Sequence, residues 1–194
     1  MTNEHVLVSE WITTLSLAVE LKDEFAPHLD VRGNVTLKLI GGNRERAVEQ
    51  PGRSGYYLFR DVPNGSHQLE TEAYYYVHEP VAVMLPRPDP KSPVMQLLLK
   101  PNPSYSFPEG TTLLKGIVID ASKRPLPDVR INVVNRSEST LTTSKGAFVL
   151  YFKTMAADTL AVILRLNRAG GSSKDISAEI KKGKVVLLGN IEYP

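Results

Sequence analysis

Apolar and polar residues alternate with a period of two along most of this chain. In LSLAVEL, Leu15, Leu17, Val19 and Leu21 fall on one face while Ser16, Ala18 and Glu20 fall on the other. That pattern marks a strand with one buried side. The alternation returns in VTLKL (Val35, Leu37, Leu39), HQLETEA (His67, Leu69, Thr71, Ala73), VAVML (Val81, Val83, Leu85), VRINV (Val129, Ile131, Val133) and DISAEI (Ile176, Ala178, Ile180). No stretch holds a convincing helical face, and TMAAD (Thr154 to Asp158) has room for one turn at most. Many short strands spaced by turns predict an all-β protein built as an antiparallel sandwich or barrel.

The turn residues refine this outline. RDVPNGSH sets Pro63, Asn64 and Gly65 between two alternating segments, where Asn and Gly tolerate the positive φ of a tight hairpin. A hairpin is expected there, and further ones at RAGGSS (Arg168 to Ser173) and KKGK (Lys181 to Lys184). Arg44 and Arg46 are expected on a hairpin loop facing water, and PRPDPKSP (Pro86 to Pro93) on a long exposed loop between edge strands. KPNPSYSFPEG (Lys100 to Gly110) places three prolines among polar and aromatic residues, which suits an extended, semi-rigid connector. At 194 residues the chain fits two small domains. The expected division is an N-terminal arm over 1–13, a first sandwich over 14–100, the Pro-rich connector over 101–111 and a second sandwich over 112–194. Tyr105 and Phe107 in the connector predict that the two sandwiches dock on each other.

Composition narrows the chemistry. Apolar residues make up 42% and charged residues 23%, as in ordinary globular proteins. The net charge is +2 and the bases are interleaved with acids, as in NRERAVEQ, so a nucleic-acid partner is not expected. The chain has no cysteine, which excludes disulfides, thiolate metal sites and thiol nucleophiles. No apolar run approaches the roughly 20 residues of a membrane-spanning helix. Glu4 and Glu10 stand where a secretory leader would be basic and then apolar, so synthesis as a cytoplasmic protein is expected.

The search for reactive groups yields little. No G-x-S-x-G, H-E-x-x-H or G-x-x-x-x-G-K-[ST] motif is present. His67 and His78, with Glu72 or Glu79, form a conceivable metal set across neighbouring strands, but surface histidines beside a turn are the more economical reading. Asp23, Glu24 and Asp158 read as solvated caps, and the hydroxyl-rich RSESTLTTS as strand-edge composition without a base. No catalytic residue, cofactor or metal is therefore expected. The aromatics carry the candidate binding residues. Tyr74, Tyr75 and Tyr76 stand in a row, so alternation forces at least one away from its neighbours' face. Exposed tyrosines favour interfaces because a rigid ring offers area with a polar handle. Trp11 lies in an arm that either pairs with a partner's sheet edge or closes this protein's own edge. Trp11, Tyr74, Tyr75, Tyr76 and Tyr105 are thus the candidate contact residues.

The chain echoes itself. Asp23, Pro27, Val35 and Leu37 parallel Asp120, Pro125, Val129 and Ile131, and SGYYLF (Ser54 to Phe59) parallels SKGAFVL (Ser144 to Leu150). The segment LKGIVIDASKRPLPDVRINVVN through LTTSKGAFVLYF resembles the carboxypeptidase regulatory-like domain, a prealbumin-like β-sandwich. The resemblance rests on Gly116, Val118, Asp120, Pro125, Val129, Val133, Thr143, Gly146 and Phe148, with Ser144 where the family tends to carry Asp. The first half resembles a more distant copy. The resemblance implies a non-catalytic accessory module, so the functional expectation is a structural or adaptor subunit that meets protein partners in a larger assembly, such as a phage-tail-like or contractile injection particle. The alternative is a carbohydrate-binding accessory that stacks exposed aromatics on sugar rings. Asp120 is expected to cap the following turn through its carboxylate.

Overall fold

The computed structural model describes residues 12–41, 44–48, 55–89 and 91–194, and among these every regular element is a strand. Seven strands fill the first half: β1 (Leu15–Asp23), β2 (Val35–Gly41), β3 (Arg44–Val48), β4 (Tyr57–Arg60), β5 (Gly65–Ala73), β6 (Val81–Leu85) and β7 (Val94–Leu99). Seven more follow: β8 (Thr112–Ile119), β9 (Arg130–Val133), β10 (Ser139–Leu141), β11 (Ala147–Phe152), β12 (Thr159–Asn167), β13 (Lys174–Lys181) and β14 (Val185–Glu192). They form two tandem sandwiches, as the alternation predicts.

Each sandwich opposes a three-stranded sheet to a four-stranded one. The first uses the orders β4-β1-β7 and β3-β2-β5-β6, and the second β11-β8-β14 and β10-β9-β12-β13. Adding seven to every strand number of the first sandwich reproduces the second. The sequence echo is therefore an echo of topology. Most pairings are antiparallel, but β1 runs parallel to β7 and β8 parallel to β14. The first and last strands of each sandwich are thus neighbours.

The inward residues follow the predicted register. Leu17, Val19, Val35, Leu37, Leu39, Leu69 and Val83 meet in the first core, with Phe59 and Leu97. Leu114, Val118, Val129, Ile131, Phe148, Leu150 and Leu164 form the second. At about 1.5–3 kcal/mol per fully buried aliphatic or Phe side chain, these two clusters dominate the favourable energy of folding.

Two expected hairpins are corrected. RDVPNGSH joins β4 to β5, which belong to opposite sheets, and KKGK likewise joins β13 to β14. Both turns carry the chain across the sandwich. Turn residues specify that the chain reverses; they leave open which sheet the next strand joins, and that is decided by where its apolar face is buried. The first crossing is stitched by Thr14 N–H to Asp61 Oδ1 (2.8 Å) and Val62 N–H to Ser16 Oγ (2.9 Å). Arg44 and Arg46 are also corrected, because both lie in β3 and not on a loop; Arg44 faces water, whereas Arg46 donates to the carbonyls of Arg60 (2.6 Å) and Asp61 (2.8 Å). RAGGSS is a true hairpin between the paired β12 and β13. Pro86 to Pro93 spans two edge strands, β6 and β7, as expected.

Gly146 shows why one turn tolerates no side chain. Its φ is +67°, and a Cβ there would sit 2.3 Å from the Val118 carbonyl oxygen, which accepts from Leu126 N–H. Gly170, at φ +75°, opens onto solvent. Gly146→Ala is expected to cost roughly 2–4 kcal/mol, and Gly170→Ala only the ~1–2 kcal/mol of a left-handed backbone. Urea unfolding of both variants decides the point, and equal losses would show that the Val118 contact carries no weight.

Candidate functional site

The polar groups that converge most tightly lie where the first sandwich meets the second. Asp23 ends β1 and is 1% exposed. A buried carboxylate is costly unless its lone pairs are filled. Here four donors fill them: Phe25 N–H (2.8 Å) and Ala26 N–H (3.1 Å) on Oδ1, and the Tyr76 (3.0 Å) and Tyr105 (2.6 Å) hydroxyls on Oδ2. Asp23, expected as a solvated cap, is thus a buried hub. It caps its own turn, as an Asx residue does, and also collects two tyrosines distant in sequence. Tyr76 in turn accepts from Arg32 N–H (2.9 Å), and the Arg32 guanidinium lies 4.6 Å from the centre of the Tyr105 ring.

The connector is folded into this hub. Asn102 N–H donates to the Tyr75 carbonyl (2.9 Å), and its side-chain amide donates to the carbonyls of Tyr74 (2.9 Å) and Tyr76 (3.0 Å). Tyr105 enters the first core, and Phe107 packs against it with ring centres 4.8 Å apart. Proline spacing predicts an extended segment, but Asn102 gives that segment a backbone partner and the tyrosine gives it a buried anchor.

The junction extends to the second sandwich. Phe25 meets the Tyr151 ring edge to face at 5.2 Å. Tyr151 donates to Glu24 Oε1 (2.9 Å), and Lys153 donates to the Glu24 carbonyl (2.6 Å). Glu24 is therefore a docking residue, not a solvated cap. Glu79 of the first sandwich accepts from Arg130 (2.8 Å) and faces Lys100 (3.3 Å), which also donates to Ser139 (3.0 Å). The docking predicted from the connector aromatics is present. Beside it lies a cleft of about 350 Å3 lined by Lys100, Pro101, Ser139, Thr140, Tyr151 and Lys153, among others.

Protonation at the junction follows from burial and charge. Burial pushes the Tyr76 phenol up to about 12; the Arg32 N–H opposes this and the Asp23 carboxylate reinforces it. Tyr105 is raised by burial and Asp23, and Tyr151 by burial and Glu24. Burial alone would raise the Glu79 carboxyl, but the Arg130 bond and the Lys100 charge outweigh it and hold it below the usual range. In the second sandwich Asp120 occupies the place of Asp23 yet stays at the surface. Its carboxylate accepts Arg124 N–H and Nε (both 2.8 Å), and this pairing, led by the backbone N–H, holds the carboxyl low. It is the turn cap expected.

Of the candidate contact residues, Tyr76 and Tyr105 are each 3% exposed and belong to the core. Tyr74 is 72% exposed and Tyr75 half-buried, their rings edge to face at 4.9 Å. Among the described candidates this pair alone offers aromatic surface, because Tyr76 is drawn inward by Asp23. Trp11 lies outside the described residues. The histidines bind backbone: His67 Nε2 lies 2.8 Å from the Pro63 carbonyl and His78 Nδ1 2.6 Å from that of Thr71. Among the described residues no three His, Asp or Glu side chains are grouped as metal ligands. No helix among them is long and apolar enough to cross a membrane. In the hydroxyl-rich segment Thr142 bridges Val129 N–H and the Leu126 carbonyl, and Ser139 accepts from Lys100. Their hydroxyls tie the segment to the loop before β9 and to Lys100.

No protein-family model matches the chain, and no curated protein matches it. Among solved structures, a cohesin–X-dockerin complex from Acetivibrio cellulolyticus is 19% identical over 41% of this chain and 52% of its own, with a TM-score of 0.32. The Bacillus anthracis TIE protein is 14% identical over 94% of this chain and 34% of its own, at 0.37. A shaft pilin from Lactobacillus rhamnosus GG is 10% identical over 93% and 97%, at 0.33. The chain spans about half the length of the first and about a third of the second. Likenesses of this degree assign neither family nor function.

Three outcomes follow from the hub and the junction. Asp23→Ala leaves two amides and two phenols without an acceptor and is expected to cost roughly 3–5 kcal/mol, against ~1.5–3 for Tyr105→Phe, in denaturant unfolding. An Asp23→Ala loss near zero would remove the hub. An unfolded tyrosine titrates near pH 10; with its folded value raised, Tyr76 contributes stability fully below that pH and loses it as pH climbs toward 12. Wild-type melting temperature should fall across that window, with a shallower fall in Tyr76→Phe. Finally, Tyr151→Phe combined with Glu79→Gln should speed amide hydrogen exchange in residues 24–26 and 151–153 while leaving the two core clusters protected; unchanged exchange would show that docking rests on the aromatics alone.

Proposed function

We propose that this chain is a non-catalytic interaction protein, a rigid two-sandwich adaptor that sets the spacing and orientation of protein neighbours in a larger assembly. One observation carries the reading. The ionisable groups gathered at the junction, Asp23, Glu24, Tyr76, Tyr105 and Tyr151, bond one another and fix one sandwich against the other. Acid–base work needs a group with an open partner position in a cleft. Lys100 beside Ser139 is the nearest approach to a nucleophile with a base, yet that lysine bridges to Glu79 as a donor.

The repeated strand order and the Gly116–Phe148 pattern support two tandem carboxypeptidase regulatory-like modules, a fold used as spacer and contact unit. A phage-tail-like or contractile injection particle is a setting that needs such a spacer. Sedimentation of native extracts followed by cross-linking tests the proposal. The chain should travel with a particle far larger than its own 21.5 kDa and cross-link reproducibly to structural neighbours. Migration as a partnerless monomer, or hydrolytic turnover abolished by Ser139→Ala, would overturn it.

A further inference from the structure

The charge of the chain is uneven along its length. Residues 14–100 hold 10 Lys and Arg against 11 Asp and Glu, and residues 112–194 hold 13 against 7, so the first sandwich is near neutral at −1 and the second is basic at +6. What each sandwich offers a partner is set by where these charges gather on its faces. Charge gathered on one face steers association and fixes orientation.

Each sandwich presents a sheet face that combines charge of one sign with exposed apolar surface. In the second sandwich Leu114 and Val118 point into the core from β8, and Val186 and Leu188 do so from β14. Lys115, Ile117, Val185 and Leu187 therefore point outward. Ile117, Val185 and Leu187 are 40%, 53% and 73% exposed, and Lys115 is paired beside Leu187. Lys184 and Lys115 line the shallow depression next to Val185, with Glu109 the acid on its wall. Neither lysine forms an ion pair among the described residues. In the first sandwich Leu69 and Thr71 of β5 point inward, which turns Glu70 and Glu72 outward on the four-stranded sheet. Glu45 and Met84, the latter 60% exposed, share that face. Among the described residues Lys38 is the one Lys or Arg on this face and sits between Glu45 (3.5 Å) and Glu72 (2.6 Å), while the His78 ring lies 3.7 Å from Glu70.

We propose that copies of this chain associate head to tail, the Glu45–Glu70–Glu72–Met84 face of one against the Lys115–Ile117–Val185–Leu187 face of the next. A second copy is the occupant because each face carries the charge that the other lacks, with exposed apolar surface on the same sheet. Two different patches meeting in this way form a heterologous interface, which leaves a free face at each end and builds a chain or a ring. The inference rests on the interaction reading and names a partner for it.

Analytical ultracentrifugation of the whole protein tests this. At low ionic strength the average mass should rise with concentration above 21.5 kDa, and return to monomer near ~0.5 M salt, where the screening length falls to a few ångströms. Lys115→Glu/Lys184→Glu and Glu70→Lys/Glu72→Lys should each sediment as monomers. Mixed in equal amounts they should associate again, because each reversed face now meets its opposite. Thermal melts close to wild type exclude misfolding as the cause. A wild-type mass that stays monomeric at every concentration overturns the proposal, as does failure of two folded variants to recover on mixing. Binding of the monomer to anionic phospholipid vesicles through the lysine face would also replace it. If self-association fails while cross-links to other neighbours persist, the inference falls and the adaptor reading stands.

Discussion

A carboxylate without water must be supplied with donors, and that requirement at Asp23 organises the centre of this molecule. Its oxygens take two amides from the turn that follows β1, one hydroxyl from the loop after β5 and one from the connector. Three segments far apart in sequence are held by one side chain. With the connector drawn in, Phe107 and Phe25 lie where Tyr151 can pack on them. Sandwich orientation is thus a consequence of satisfying one buried charge.

The two sandwiches share a strand order but differ in this respect. Asp120 stands where Asp23 stands, yet it binds a neighbouring arginine at the surface. Its successors Ala121 and Ser122 take the places of Glu24 and Phe25. The shared aspartate closes a turn in both; the first sandwich adds aromatics that make the turn a docking platform. A repeated plan has acquired asymmetry through a few residues at one end.

Legibility in the sequence follows the range of the interaction. Alternation is local and tied to burial, so β1, β2, β5, β9 and β13 could be placed from periodicity. Hairpins failed where the decision was non-local: nothing in Asn64-Gly65 or Gly183 says that the next strand crosses to the facing sheet. Alternation forces at least one of Tyr74 to Tyr76 onto the face opposite its neighbours and one or two of them into the core, but it would place Tyr74 with Tyr76; that Tyr76 alone turns fully in depends on Asp23, 53 positions away. A strand-end acid such as Asp23 reads as a cap because such acids normally are. Its parallel with Asp120 was visible, whereas the tyrosine donors that make it different become neighbours only in three dimensions.

The parallel pairing of first and last strands has a mechanical meaning. In each sandwich the chain enters along one strand and leaves along its neighbour in the same direction, with six paired positions between β1 and β7 and six between β8 and β14. Tension applied through the two ends of such a unit slides these strands against each other and loads the shared ladder in shear, all rungs together, where a hairpin would open one rung at a time. Both sandwiches are clasped in the geometry that best resists being pulled apart through their chain ends.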